Sequence, residues 1–140
     1  MKNKREELLY PIVSKYFAKK GYYIFREFPF IEKSNLRVDV FAVEKNFSHI
    51  ISVEVKMKWF RKAVEQALVR LYFSDYVYLA FPERYAQYVL KKYIDVINEL
   101  NLGILAIDGC VKELKKASKS PLLVYKLKES ILNRLRKIIS

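Results

Sequence analysis

Between Tyr22 and Met57 the chain carries three runs of β-branched and aromatic residues, "YYIFREF" (22–28), "LRVDVFAV" (36–43) and "HIISVEVKM" (49–57), joined by short connections. They read as three successive strands in a meander, with turns through Pro29–Asn35 and around Asn46. Beyond Met57 the pattern alternates. "FRKAVEQALVRLYF" (60–73) holds good helix formers and no breaker, "YVYLAFP" (76–82) returns to strand and stops at Pro82, a helix is expected from Glu83 to about Leu100, and "GILAI" (103–107) is a further short strand. An opening helix from about Asn3 to Lys20 places Leu9, Ile12, Val13, Tyr16 and Phe17 in one stripe, with Pro11 as a kink or a first-turn residue and Gly21 as its terminator. The order α-β-β-β-α-β-α-β predicts an α/β fold with a mixed central sheet and helices on both faces. A lysine-rich connection, a last strand at "LLVYKL" (122–127) and an amphipathic helix at "ESILNRLRKII" (129–139) follow, the helix docking on the sheet in preference to serving a dimer contact or meeting a membrane surface.

At 140 residues the chain is one domain, with a core over about 3–108 and a C-terminal extension over about 109–140. A hydrophobic content of 52% excludes a disordered tail. The single cysteine, Cys110, reads as a small buried hydrophobe, and no internal disulfide is possible. No stretch is apolar for long enough to span a bilayer, and "MKNKREELL" turns amphipathic where a secretory signal turns continuously apolar, so a soluble, intracellular (cytoplasmic) protein is expected. With 27 Lys and Arg against 15 Asp and Glu, the net charge is +12, which favours polyanionic partners, nucleic acid or an anionic membrane surface.

The third run contains an oddity. On a strand, Ile51, Val53, Val55 and Met57 point one way and Ser52, Glu54 and Lys56 the other, so one face suits a core and the other ion pairing or chemistry. If the second and third strands pair as a hairpin, Asp39 and Glu54 share a face, with Lys56 next along. Two neighbouring carboxylates repel when desolvated unless a cation lies between them, and oxygen donors alone select a hard cation such as magnesium or manganese. A lysine beside it would stabilise charge growing on phosphoryl oxygens or orient the attacking water. Taken alone, E-x-K is also a common exposed strand pairing.

In this setting the chain resembles the PD-(D/E)XK nuclease superfamily, through "EELLYPIV", "GYY", "VDVFAV", "SVEVK", "AVEQALVRLYF" and "SDYVYLAFP", over roughly residues 6–83. The pattern is similar to that of a group of poorly characterised members with E-x-x-L-Y-P, V-E-x-K, Q-A and V-Y-L-A-x-P motifs. The resemblance implies a restriction-endonuclease-like α-β-β-β-α-β core and magnesium- or manganese-dependent hydrolysis of DNA phosphodiesters. It gives Asp39 and Glu54 the role of metal ligands, Lys56 that of transition-state stabiliser, and Glu6 that of auxiliary ligand or water-positioner. The helical stripe favours Glu6 over Glu7 for that role. Gln66 falls where related nucleases place a glutamine near metal and substrate; a solvated helix residue is the plainer alternative. Val38 stands where the superfamily name has proline, and the glycine-rich early motif of archaeal Holliday-junction resolvases is missing.

Around these residues, Lys58, Arg61, Lys62 and Arg70, with Lys2, Lys4 and Arg5, are candidate phosphate contacts. Trp59 is a candidate stacking residue for an unpaired base, or packing over the strand end. His49 reads as structural, and the sequence has no phosphate-binding glycine loop, Ser-His-Asp set or zinc-finger spacing. A homodimer is a further expectation. The rival functional readings are a non-catalytic nucleic-acid-binding or adaptor module that keeps the fold, and an enzyme directed at RNA.

Overall fold

The computed structural model describes residues 4–29 and 37–139. The connection over residues 30–36, Lys2 and Asn3 therefore fall outside the described residues. The opening helix is divided into α1 (Lys4–Glu7) and α2 (Tyr10–Lys19). Pro11 lies in the first turn of α2, where its missing N–H has no helical partner to lose and its fixed φ suits the helix. Gly21, at φ +94°, turns the chain out of α2 in a conformation that costs glycine nothing.

Three antiparallel-linked strands follow, β1 (Tyr22–Pro29), β2 (Arg37–Glu44) and β3 (Ile50–Val55). Helix α3 (Phe60–Arg70) crosses over to β4 (Tyr76–Pro82), parallel to β3, and α4 (Glu83–Lys92) with α5 (Ile94–Glu99) crosses to β5 (Gly103–Asp108), parallel to β4. Strand β6 (Cys110–Lys115) returns antiparallel to β5, and helix α6 (Tyr125–Ile139) ends the described chain. The six strands lie in one mixed sheet in sequence order, β1 to β6.

Helices cover both faces. On one, Tyr10, Val13 and Phe17 of α2 pack on Val40, Ala42, Ile51, Val53, Val55, Ala80 and Leu105. On the other, Phe60, Ala63 and Ala67 of α3, Ala86 and Val89 of α4, and Ile97 of α5 pack on Val77, Leu79, Phe81 and Ile104. The same face continues under α6, where Ile131, Leu132 and Leu135 meet Phe41, Val43 and Ile50. Every residue of β3 is consequently buried. That corrects the division of β3 into a core face and a free polar face: the Glu54 face is roofed by α3.

Three expected elements differ. The single helix expected over 83–100 breaks at Tyr93, which leaves helical geometry at φ −113°, ψ 24° while its ring stacks on Phe60 at 4.2 Å. The lysine-rich connection after Ile107 is strand β6, entered through Gly109 at φ +71°. No strand forms over 122–127. The segment before α6 instead hangs by single bonds on the loop after α3: Ser120 N–H donates to Asp75 O (2.8 Å), Ser120 Oγ to Leu71 O (2.6 Å) and Val124 N–H to Tyr72 O (2.7 Å). Asp75, fully buried, anchors the arrangement by accepting from Ile50 N–H at 2.7 Å and from Lys128 Nζ of α6 at 2.9 Å. Cys110 is exposed, against the expectation of a buried thiol.

Candidate active site

Strands β2 and β3 pair Val40 with Val53 and Phe41 with Ser52, and the same register carried one step on sets Asp39 opposite Glu54. Residues paired this way share a sheet face, so the two carboxylates are neighbours, as the hairpin reasoning required. Both are buried. Asp39 Oδ2 accepts the Val55 N–H at 2.9 Å, so a side chain supplies the rung at which the backbone ladder ends. Glu54 is 1% exposed, and its Oε2 accepts Nε of Arg70 at 3.2 Å.

Arg70 corrects an expectation. Instead of reaching phosphates from the surface, its guanidinium is buried against Glu54 and also donates to Gln66 O (3.1 Å) and Arg37 O (2.7 Å). It occupies the sheet-facing stripe of α3, with Ala63 and Ala67, where an unpaired charge would be costly. The missed signal was its helical position: residues 60, 63, 67 and 70 recur at helical spacing, so Arg70 continues an apolar face.

Glu6 and Lys56 come together from well-separated stretches of the chain. Just past the end of β3, the Met57 N–H donates to Glu6 Oε2 at 3.0 Å, and Lys56 Nζ lies 3.8 Å from Glu6 Oε1. Glu6 is 5% exposed and Glu7 is exposed, as the stripe argument anticipated. Tyr10, one turn further along, places its phenol beside Asp39; burial and then the Asp39 charge hold its pKa far above the usual tyrosine range, so it stays a neutral hydroxyl at ordinary pH. Sequence reasoning gave Tyr10 no role, although its place one helical turn after Glu6 was the available signal.

Gln66 lies on the same stretch of α3, half-buried, and its Oε1 is buried with no hydrogen-bond partner among the described residues. A buried acceptor left unpaired is uncommon and calls for a donor or a cation. The remaining basic candidates Lys58, Arg61, Lys62, Lys4 and Arg5 are exposed. Trp59 is 65% exposed and adopts φ 69°, a left-handed conformation that costs a bulky side chain about 1–3 kcal/mol.

Among the described residues no three carboxylate, imidazole or thiol groups form a ready-made metal cage. Asp39 and Glu54 nevertheless fit a magnesium-type ion in kind and number, since such an ion takes oxygen donors, keeps several waters and uses one or two carboxylates with substrate phosphate. His49 stays outside this site, at the start of β3. Its Nδ1 is 3.0 Å from both Glu44 Oε1 and Ser48 Oγ, and with both partners on one ring nitrogen the three cannot work as a nucleophilic triad.

No protein-family model matches the chain, and no curated protein matches it in sequence. Its fold is similar to that of a solved structure, the SPO1766 protein of unknown function from Silicibacter pomeroyi, with a TM-score of 0.70 over 94% of this chain and 83% of that one, at 17% identity. At that identity the likeness shows the fold alone, a mixed α/β domain built on a six-stranded sheet.

Proposed function

We propose that the domain is a metal-dependent nuclease that hydrolyses DNA phosphodiesters, with a restriction-endonuclease-like core of the PD-(D/E)XK type. The observation that carries the reading is convergence. Two polar pairs fall near the end of β3: Asp39, opposite Glu54, accepts the Val55 N–H, and Glu6 accepts the Met57 N–H with Lys56 Nζ 3.8 Å from its other oxygen.

Asp39 and Glu54, with Glu6 as a further oxygen donor, would hold magnesium or manganese, which supplies polarisation of the phosphodiester and a more acidic water. Lys56, positioned through Glu6, places an ammonium where negative charge grows on the phosphoryl oxygens. Tyr10 stays protonated and keeps a neutral polar group against Asp39. Gln66 Oε1 offers an acceptor for a water or a substrate N–H. The net charge of +12 supplies non-specific attraction to the phosphate backbone.

The test is cleavage of labelled single-stranded, duplex, flap, four-way-junction and RNA substrates with Mg²⁺ or Mn²⁺, beside a Glu54→Ala control. Metal-dependent cutting lost in the control is the expected result. A second reading, a non-catalytic nucleic-acid-binding module, rests on the Glu54–Arg70 ion pair, because a guanidinium there already neutralises one of the two carboxylates. Tight binding with no cutting under either metal would favour it, and cutting of RNA alone would favour the RNA-directed enzyme. Among the described residues no helix is long and apolar enough to cross a membrane.

A further inference from the structure

Three residues past Lys56, at most about 11 Å of chain, a cleft of about 500 Å³ opens between the start of α3 and the start of α4. This is the carboxyl end of two neighbouring parallel strands, β3 and β4, where open α/β sheets receive ligands. Trp59, Tyr85 and Tyr93 line it together with Arg61 and Lys62, and among the described residues Glu65 is the only carboxylate in the lining.

The aromatic wall is held in place. Tyr93 stacks on Phe60 at 4.2 Å with the rings 11° apart, and the Tyr85 hydroxyl accepts the Phe60 N–H at 3.0 Å. Trp59 is different: its backbone is at φ 69° and its indole is 65% exposed, so it forgoes the burial a tryptophan ordinarily takes. Lys58 Nζ lies over the indole at 5.1 Å. A large flat apolar surface beside cations, on a rigid aromatic bed, is what an unpaired base and its phosphates require. Duplex DNA offers no exposed base face to such a ring.

We propose that this cleft seats an unpaired nucleotide, with the base stacked on Trp59 and the flanking phosphates against Arg61 and Lys62, so that the favoured substrate is single-stranded or has a single-stranded segment beside the scissile bond. The inference rests on the nuclease reading only for its second half, since the binding preference stands without catalysis.

Trp59 is the only tryptophan in the chain, so its fluorescence reports this site alone. With metal chelated to prevent cutting, the full chain is titrated at one salt concentration with oligodeoxythymidylate and with a blunt duplex. The expected result is saturable quenching by the single strand and binding at least about tenfold tighter than to the duplex. Trp59→Ala, followed by anisotropy of a labelled strand, should weaken single-strand binding roughly 5- to 150-fold and leave duplex binding unchanged, with Trp59→Phe recovering part of the loss. Equal affinity for both forms, or a Trp59→Ala variant that binds the single strand as the parent does, would overturn the inference and leave the nuclease reading in place. Single-strand binding through Trp59 with no cleavage under either metal would uphold it and remove the nuclease reading.

Discussion

Arg70 and Glu54 form an ion pair with both side chains almost wholly withdrawn from water, 6% and 1% exposed, one turn along α3 from Gln66 and opposite Asp39 across the sheet. Separating such a pair leaves one buried charge uncompensated. Arg70→Met should therefore cost about 3–5 kcal/mol, read as a fall in the urea midpoint. The double variant Arg70→Met with Glu54→Leu should recover much of that loss, since replacing both partners removes the orphaned charge. If the single variant loses less than about 1 kcal/mol, Glu54 has another counter-charge.

Lys56 is expected to matter for rate and not for folding. Its ammonium is mostly shielded and pairs only loosely with Glu6, at 3.8 Å. On the nuclease reading, Lys56→Met should lower cleavage by about 10²–10³, while thermal unfolding moves by no more than a few degrees. Glu6→Gln, which keeps an oxygen to accept the Met57 N–H, should lose less activity than Asp39→Asn. Single-turnover cleavage of a labelled flap measures all three.

The buried phenol of Tyr10 predicts alkaline sensitivity. Its proton is held in the folded state far past the ordinary value of 10, because of burial and then the Asp39 charge, whereas the unfolded chain releases it there. A raised folded-state pKa gives stability that is complete below about pH 10 and lost as the pH climbs above it. Tyr78, also raised by burial, acts in the same direction. Urea midpoints should fall as the pH rises above about 10, and Tyr10→Phe should flatten the slope by an amount that approaches one proton, or roughly 1.4 kcal/mol per pH unit, above about pH 11. An unchanged slope would place the titration elsewhere.

Gly103 is required for want of space. A β-carbon there would press into the Tyr78 ring and lie 2.8 Å from the Ala117 backbone nitrogen. Gly103→Ala should destabilise the protein by about 1–3 kcal/mol, whereas Ala117→Gly nearby should cost less. Chemical denaturation of both variants makes the comparison.

The three-strand meander, the crossover helix α3 and strands β4 and β5 were legible because each is a run of one periodicity between breakers. The pairing of Asp39 with Glu54 followed from them, since hairpin register fixes which residues face each other. Legibility failed where an interaction distant in sequence decides the outcome. Arg70 reads as one more surface cation until α3 is laid on β3. Leu122 to Leu127 has strand composition, but its backbone bonds go to Tyr72 and to the first turn of α6, not to a strand of the sheet. Tyr93 breaks a helix whose local sequence would continue. That Glu6 is the buried one of the pair and Glu7 the exposed one was legible, because the helical stripe beside them is clear.

Strand β6 was hidden by its own charges, and those charges have a second consequence. It is an outer strand of the sheet, and its sequence "CVKELK" is half ionic, with Lys112 paired to Glu83 at 3.2 Å and Lys115 reaching back to Leu102 O at 3.0 Å. A seventh strand from another chain would have to lie against this row of ammonium groups and displace their partners, in a molecule that already repels its copies through a charge of +12. The residues that disguise β6 as a connection therefore guard its edge of the sheet against growth into a fibril.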